Sequence, residues 1–346
     1  METIIKTIDP ENIDMDIIEE FGKMLTEGKT VIFPTETVYG LGANALDKNA
    51  ASKIYEAKGR PSDNPLLVHV SDIEDVYDLV ENVDDKAALL MKKFWPGPLT
   101  ILFKKKSIIP DRTSGGLDTV AIRMPSDEVA RRIIRAAKVP IAAPSANISG
   151  KPSPTKAEHI IEDMNGRVDA ILVGKDCCYG VESTIIDLSG TVPMILRPGC
   201  ITLEMLEEVL GNVEIDPSIL NKEDNINAKA PGMKYKHYSP DAQVYIVSGD
   251  NEKRIEKINE LIEENSKKGL KTGVLCMKMN SQRYKGKVFE LGETYEDAAH
   301  NLFDELIKLD REGIDVAYAE SFDEKGVGVA IMNRLKKSAG YRVINV

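Results

Sequence analysis

The stretch LTILFKKKSIIPDRTSGGLDTVAIRMP (99–125) holds two strand-like apolar runs, LTILF (99–103) and TVAIRM (119–124). Working outward, LLVHV (66–70), PIAAP (140–144), AILV (170–173), STIIDL (183–188) and VPMILR (192–197) read the same way. TVIF (30–33) joins them, preceded by Ile17, Ile18, Phe21, Met24 and Leu25 at helical spacing. These runs cluster more than a strict βαβ alternation allows. The reading is therefore an α/β or α+β domain, a twisted mixed sheet covered by helices. Helix starts are expected at Asp72, at Asp84, at Ser126 before Asp127 and Glu128, and at Thr155, whose spacing to Glu158 fits a capping box.

Toward the C-terminus the pattern weakens between Gly211 and Asp241, where NKEDNINAK (221–229) runs into APGMKYKHYSP (230–240). The expected division is a catalytic domain over 1–210, a linker and active-site lid over 211–241, and a small domain over 242–346. That last part alternates YIV (245–247), a charged helix near 251–268, TGVLCM (272–277), a helix from Tyr295 to Asp310, DVAYA (315–319) and a helix around Val327–Lys337. It reads as a βαβ, Rossmann-like unit.

A chain of 346 residues, 42% hydrophobic, has enough apolar material for two domains. It contains no run of about 18 apolar residues and no basic-then-apolar leader, so a cytoplasmic location is expected. Lys and Arg number 45 against 56 Asp and Glu, a formal net charge of -11. Broad attraction to nucleic acid or anionic lipid is disfavoured. Cys177, Cys178, Cys200 and Cys276 form no CxxC, so they read as reduced thiols with neither a disulfide framework nor a zinc site.

Several segments combine breaks in regular structure with chemistry. FPTETVYGLGA (33–43) offers the hydroxyls of Thr35 and Thr37, then Gly40 and Gly42, where backbone can approach a ligand or simply turn. KIYEAKGRPSDNP (53–65) ends a helix at Lys58 and presents Arg60 before Pro61. Two readings stand for that pair: a clasp for one anion, or a helix cap beside an exposed arginine. PIAAPSANISGKPSPT (140–155) carries Ser145, Asn147, Ser149 and Ser153 on a loop that is either solvated or a binder of phosphate and ribose oxygens.

Arg123 lies inside the apolar run VAIRMP, and Arg197 ends ILRPG. A buried guanidinium needs a carboxylate or an anionic ligand, and both explanations stay open. GKMLTEGKT (22–30) is no P-loop, because five residues separate its glycines and it precedes a strand. Neither HExxH nor GxSxG occurs among the segments around His69, His159, His237 and His300.

Taken together and in order, PTETVYGLGA, KIYEAKGRP with NPLLVHV, WPGPLT (95–100), VAIRMP, APSANISGKPSPT, ESTIIDL and ILRPG resemble the threonylcarbamoyl-AMP synthase family, whose fold is YrdC-like. The likeness runs from Ile13 to Gly199, and the linker with the domain after it resembles the longer, two-domain branch. What the resemblance implies is an enzyme, a nucleotidyltransferase. It would form threonylcarbamoyl-AMP and pyrophosphate from threonine, bicarbonate and ATP, with Mg²⁺ carried mainly by ATP and no metal ligand from the chain. A separate complex would transfer the product to tRNA, with direct tRNA binding by this chain expected to be weak or absent.

By the same resemblance the catalytic tetrad falls on Lys58, Arg60, Ser145 and Asn147. ATP would be held by Arg60, Asn64, Thr119, Ser145, Ser153 and Arg197, with Tyr235 or Tyr238 closing the cavity. Threonine would be held by Thr35, His69, Arg123, Ala143 and Ser183. Two rivals are set aside. An RNA-binding protein conflicts with the acidic total, and a hydrogenase-maturation carbamoyl transferase would bring zinc-finger cysteines this chain lacks.

Overall fold

In the computed structural model, which describes residues 2–220, 230 and 238–346, the apolar runs of the first part lie side by side in one sheet. Its strands begin with β1 (Ile4–Thr7), β2 (Val31–Phe33), β3 (Gly40–Asn44), β4 (Leu67–His69), β5 (Leu99–Lys104) and β6 (Thr119–Arg123). They continue with β7 (Ile141–Ala142), β8 (Ala170–Val173), β9 (Thr184–Asp187), β10 (Met194–Arg197) and β11 (Glu214–Ile215). Their order is β1-β8-β2-β3-β7-β4-β6-β5-β9-β10-β11. Parallel pairs such as β4 with β6 stand beside antiparallel ones such as β5 with β6, which makes the sheet mixed as expected.

Two strands carried no legible signal. Isoleucines 4 and 5 of β1 are exposed at the sheet edge, and β3 is built from GLGAN. The expectation that Gly42 lets backbone approach a ligand is corrected. A Cβ there would come within 2.6 Å of the Phe33 ring and 2.9 Å of Ile141, so the glycine makes room for packing inside the sheet. The capping box at Thr155 is also corrected: the helix spans Ala157–Met164 behind Lys156, with no side-chain cap. Thr155 Oγ1 is buried without a hydrogen-bond partner among the described residues. Asp84 and Asp127 do cap their helices, accepting from Ala87 N–H at 2.7 Å and Ala130 N–H at 2.8 Å.

Period-two alternation sorts the central strands onto two faces. On one, Val68, Ile101, Val120, Ile122 and Ile186 enter the main helix-covered core. On the other, Leu67, Leu102, Ala121, Ile185 and Leu196 form a smaller apolar floor, joined by Ala230. His69, Thr100, Thr119 and Arg123 stand on this second face, each two residues along its strand from a floor residue. The site is built there.

Chain contacts divide the protein into two units: Met1–Ser149, Ser153–Cys178 and Glu182–Lys234 form one, and Gly150–Pro152, Tyr179–Val181 and Tyr235–Val346 the other. The pattern expected to fade at Gly211 persists further, because β11 pairs with β10 and a helix spans Pro217–Leu220. The second unit holds β12 (Gln243–Ser248), β13 (Thr272–Cys276), β14 (Lys287–Glu290), β15 (Val316–Glu320) and β16 (Val343–Asn345). Their order is β14-β13-β15-β12-β16 and every pair is parallel. With helices at Asn251–Lys267, Tyr295–Arg311 and Gly328–Ser338 between strands, this is the βαβ arrangement the alternation predicts.

Candidate functional site

The helix Lys48–Lys58 stops because Gly59 adopts a left-handed conformation, φ 61°, and its last residue turns inward. Lys58 is 2% exposed. Its Nζ donates to Ser145 O and Asn147 O, both at 2.5 Å, and to Asn147 Oδ1 at 3.4 Å. Ser145 Oγ in turn donates to Asn147 Oδ1 at 2.6 Å. Lys58, Ser145 and Asn147 are thus one cluster, in which the ammonium's three N–H groups hold the loop that follows β7. Burial, then the nearby Arg60 charge, pushes the Lys58 amine well below the usual lysine range, against the pull of Asp163 and Glu182.

Arg60 Nη2 donates to Pro65 O at 3.0 Å and Asn64 O at 3.4 Å, folding the Pro61–Pro65 turn back on itself. Asn64 is 1% exposed, yet neither its amide nitrogen nor its oxygen has a hydrogen-bond partner among the described residues. Two bare polar atoms in such a place fit a ligand position. Leu67 pairs with Ala121 in parallel register, so Thr119 begins β6 at the end nearest Asn64 and Pro65. It lines a cavity of about 440 Å³ with Leu102, Lys104 and Asp187.

Four residues along β6, roughly 13 Å from Thr119, Arg123 forms the other end of the site. The structure answers the open question about its charge: Nη2 lies 2.7 Å from Glu36 Oε1, with both side chains buried. Nη1 donates to Thr37 Oγ1 at 2.8 Å and Nε to Gly97 O at 3.3 Å, which fixes the guanidinium on three sides. Of the two explanations left open for Arg123, the carboxylate is present, since Glu36 neutralises it. Burial opposes the Glu36 charge, but the Arg123 guanidinium and the Ser126 N–H, 2.9 Å away, outweigh it and hold the carboxyl below the ordinary range.

His69 pairs with Arg123 across β4 and β6. Burial first and the Arg123 charge second push its imidazole well below the usual range, so it is neutral at pH 7, and its Nδ1 has no partner among the described residues. Ser183 Oγ lies 2.7 Å from Thr100 Oγ1 and accepts from Arg197 Nη2 at 3.0 Å. A register shift between Ile195 and Arg197 sets Arg197 opposite Ile185, and this irregularity turns its guanidinium onto the site face. Thr35 Oγ1 donates to Val38 O at 2.6 Å, and Ala143 N–H donates to Leu67 O at 2.8 Å. Ser153 Oγ donates to Glu182 Oε1 at 2.7 Å.

Of the two linker tyrosines, Tyr235 lies outside the described residues. Tyr238 belongs to the second unit, where its ring packs 5.1 Å from that of Phe303 and under the Arg334 guanidinium. Sequence reasoning missed Glu36, Thr100 and Glu182. Glu36 lay within the quoted PTETVYG segment, and the signal that would have found it is the need of Arg123 for a counter-ion.

Comparison with known proteins places this geometry. Residues 23–199 match the Sua5/YciO/YrdC family, described as "Telomere recombination", and residues 201–340 match the threonylcarbamoyl-AMP synthase C-terminal domain. A threonylcarbamoyl-AMP synthase of Pyrococcus abyssi is 51% identical over 93% of this chain and 94% of its own length. One from Bacillus subtilis is 46% identical over 98% of this chain and 96% of its own length. The crystal structure of P. abyssi Sua5 complexed with L-threonine superposes with a TM-score of 0.95 at 48% identity, covering 99% of this chain and 100% of that one.

Proposed function

The chain belongs to the threonylcarbamoyl-AMP synthase family in its two-domain form, and on that premise we propose how its residues share the work. The reaction joins L-threonine, bicarbonate and ATP into threonylcarbamoyl-AMP with release of pyrophosphate. The observation that carries the assignment of ends is the polarity of the site face. A buried, neutralised arginine beside a neutral histidine stands at one end, and Lys58, Arg60 and the bare amide of Asn64 stand at the other.

Threonine occupies the first end, its carboxylate on the free N–H groups of Arg123, with His69, Thr35, Ala143 and Ser183 around it. ATP occupies the second, with Arg60, Asn64, Thr119, Ser145, Ser153 and Arg197 along its length. Bicarbonate takes up a proton and loses water to give carbon dioxide, and the threonine amine adds to that carbon, losing a proton, to give a carbamate. One carbamate oxygen then bonds to the α-phosphorus while the bond from that phosphorus to the β-phosphate oxygen breaks, and pyrophosphate leaves. Two anions meet in this step. Lys58 and Arg60 offset their charge, and the loop held by Lys58 keeps Ser145 and Asn147 in place for the reacting atoms.

Mg²⁺ carried by ATP would further neutralise the phosphate charge. Glu36 is engaged with Arg123 and Glu182 accepts from Ser153, so such an ion would draw its ligands from phosphate and water. Ala230 is buried on the apolar floor, and keeping water from this face matters because carbamate and mixed anhydride are labile. No helix among the described residues is long and apolar enough to cross a membrane. The reading is of a cytoplasmic enzyme whose product passes to a tRNA-modifying complex.

The test is incubation of the pure protein with ATP, Mg²⁺, bicarbonate and single amino acids, with mass spectrometry of the products. A threonine-dependent carbamoyl adenylate is expected. Pyrophosphate release indifferent to the amino acid, or salt-sensitive RNA binding without turnover, would overturn the reading.

A further inference from the structure

One atom of the Glu36–Arg123 pair is unused by the mechanism above. Glu36 Oε1 meets Arg123 Nη2 at 2.7 Å and Ser126 N–H at 2.9 Å. Oε2 of the same carboxylate is buried and has no hydrogen-bond partner among the described residues. A bare carboxylate oxygen in a protein interior is costly, and an ionised carboxylate only accepts, so the group that completes it must be a donor. The neighbouring hydroxyls are otherwise engaged: Thr35 donates to Val38 O, and Thr37, which accepts from Arg123, has Thr35 Oγ1 at 3.0 Å for its own proton.

Resting on the reading that threonine's carboxylate meets Arg123, we propose that Glu36 is a specificity-determining residue whose Oε2 accepts the hydrogen bond of threonine's side-chain hydroxyl. In threonine the carboxylate and the hydroxyl-bearing carbon share Cα, so the anion and the donor lie a few ångströms apart. Because Glu36 Oε1 is in contact with Arg123 Nη2 at 2.7 Å, Oε2 of the same carboxylate stands beside the guanidinium, an acceptor next to a donor. Valine has threonine's shape without the donor and leaves Oε2 bare. O-methylthreonine keeps the oxygen and loses its proton, which separates donation from mere polarity. A site that hydrogen-bonds a substrate hydroxyl discriminates against analogues lacking it far more than a purely steric pocket does.

The experiment measures kcat/KM for carbamoyl-adenylate formation with L-threonine, L-serine, L-valine and O-methyl-L-threonine, in the wild-type protein and in Glu36→Gln. In the wild type, valine and O-methylthreonine are expected about a hundredfold or more below threonine, with serine between. Glu36→Gln keeps an oxygen toward Arg123 and sets an amide N–H₂ where Oε2 was. The preference for threonine over O-methylthreonine should then collapse by roughly tenfold or more while KM for ATP holds.

An unchanged preference in a folded Glu36→Gln protein overturns the proposal and leaves Glu36 as a counter-ion. Collapse in His69→Ala but not in Glu36→Gln overturns it too, moving the contact to the bare Nδ1 of His69. Should Glu36→Gln fail to fold, the wild-type series decides, since equal use of threonine and O-methylthreonine is incompatible with donation. Absence of any threonine-dependent product in the wild type is a different result, and it sinks the reaction assignment itself.

Discussion

Lys58 and Arg123 are both cations buried on the same sheet, 2% and 3% exposed, and they are held in opposite ways. Arg123 has a carboxylate at 2.7 Å, whereas the described partners of Lys58 are two carbonyls and an amide oxygen. A carbonyl offers a dipole where a carboxylate offers a full charge, so the Lys58 end keeps an appetite for an anion that the Arg123 end has already satisfied. On the proposed reading, the first of these ends receives phosphate and the second orients a zwitterion.

The contrast is exposed to test, most severely at Arg123. Arg123→Ala leaves Glu36 buried and alone, so a loss of about 3–5 kcal/mol in chemical denaturation is expected. In whatever protein stays folded, calorimetry should find threonine binding weakened far more than ATP binding; equal losses for both ligands would erase the distinction between the ends. Next in size, Lys58→Ala or Arg60→Ala should lower the rate of pyrophosphate release by roughly a hundred- to a thousandfold, as loss of a charge-stabilising donor does. Circular dichroism should stay native. Folded variants with full turnover would remove both residues from the chemistry.

A third test concerns protons. Because the folded pKa of Lys58 is depressed, the unfolded chain alone holds that proton between the folded value and about 10.5, and this group's contribution to stability should rise with pH across that window. Binding of the ATP polyanion reverses the depression. At pH values within that window, titration calorimetry in buffers of different ionisation enthalpy should therefore show proton uptake with ATP, absent in Lys58→Met. No buffer dependence in the wild type would mean the amine is already fully charged. The smallest effect is expected at Thr155, a buried polar group that carries no charge and has no partner for its hydroxyl. Thr155→Val should change the melting temperature by only a degree or two, upward if at all; a large fall would reveal a hydrogen bond that the geometry lacks.

How far the sequence carries depends on whether a feature is local. Runs such as AILV and TVAIRM announce strands because burial demands apolar side chains in succession or alternation, and they form Ala170–Val173 and Thr119–Arg123. GLGAN does not, because the reason for Gly42 is the Phe33 ring pressed against it from the next strand. Thr155 and Glu158 have the spacing of a capping box, but the chain enters its helix one residue later at Lys156, and spacing alone does not fix that.

The site shows the same division. Lys58, Arg60, Ser145 and Asn147 were found from their segments, yet that the lysine grips the serine and asparagine carbonyls is a fact of tertiary geometry. Glu36 was invisible for a related reason. A carboxylate in a glycine-rich loop looks solvated until a strand from 87 positions further on sets an arginine against it.

The placement of β8 between β1 and β2 has a consequence for how the chain is made. Ile4 and Val31 both take Ala170 as their register partner, so neither early strand can complete its side of the sheet until that residue has left the ribosome. At cellular rates of synthesis the N-terminal strand waits roughly ten to thirty seconds for its neighbour. Through that interval the backbone N–H and C=O groups of Ile4–Thr7 lack their ladder partner, and the nascent protein depends on whatever keeps this unpaired strand from pairing elsewhere.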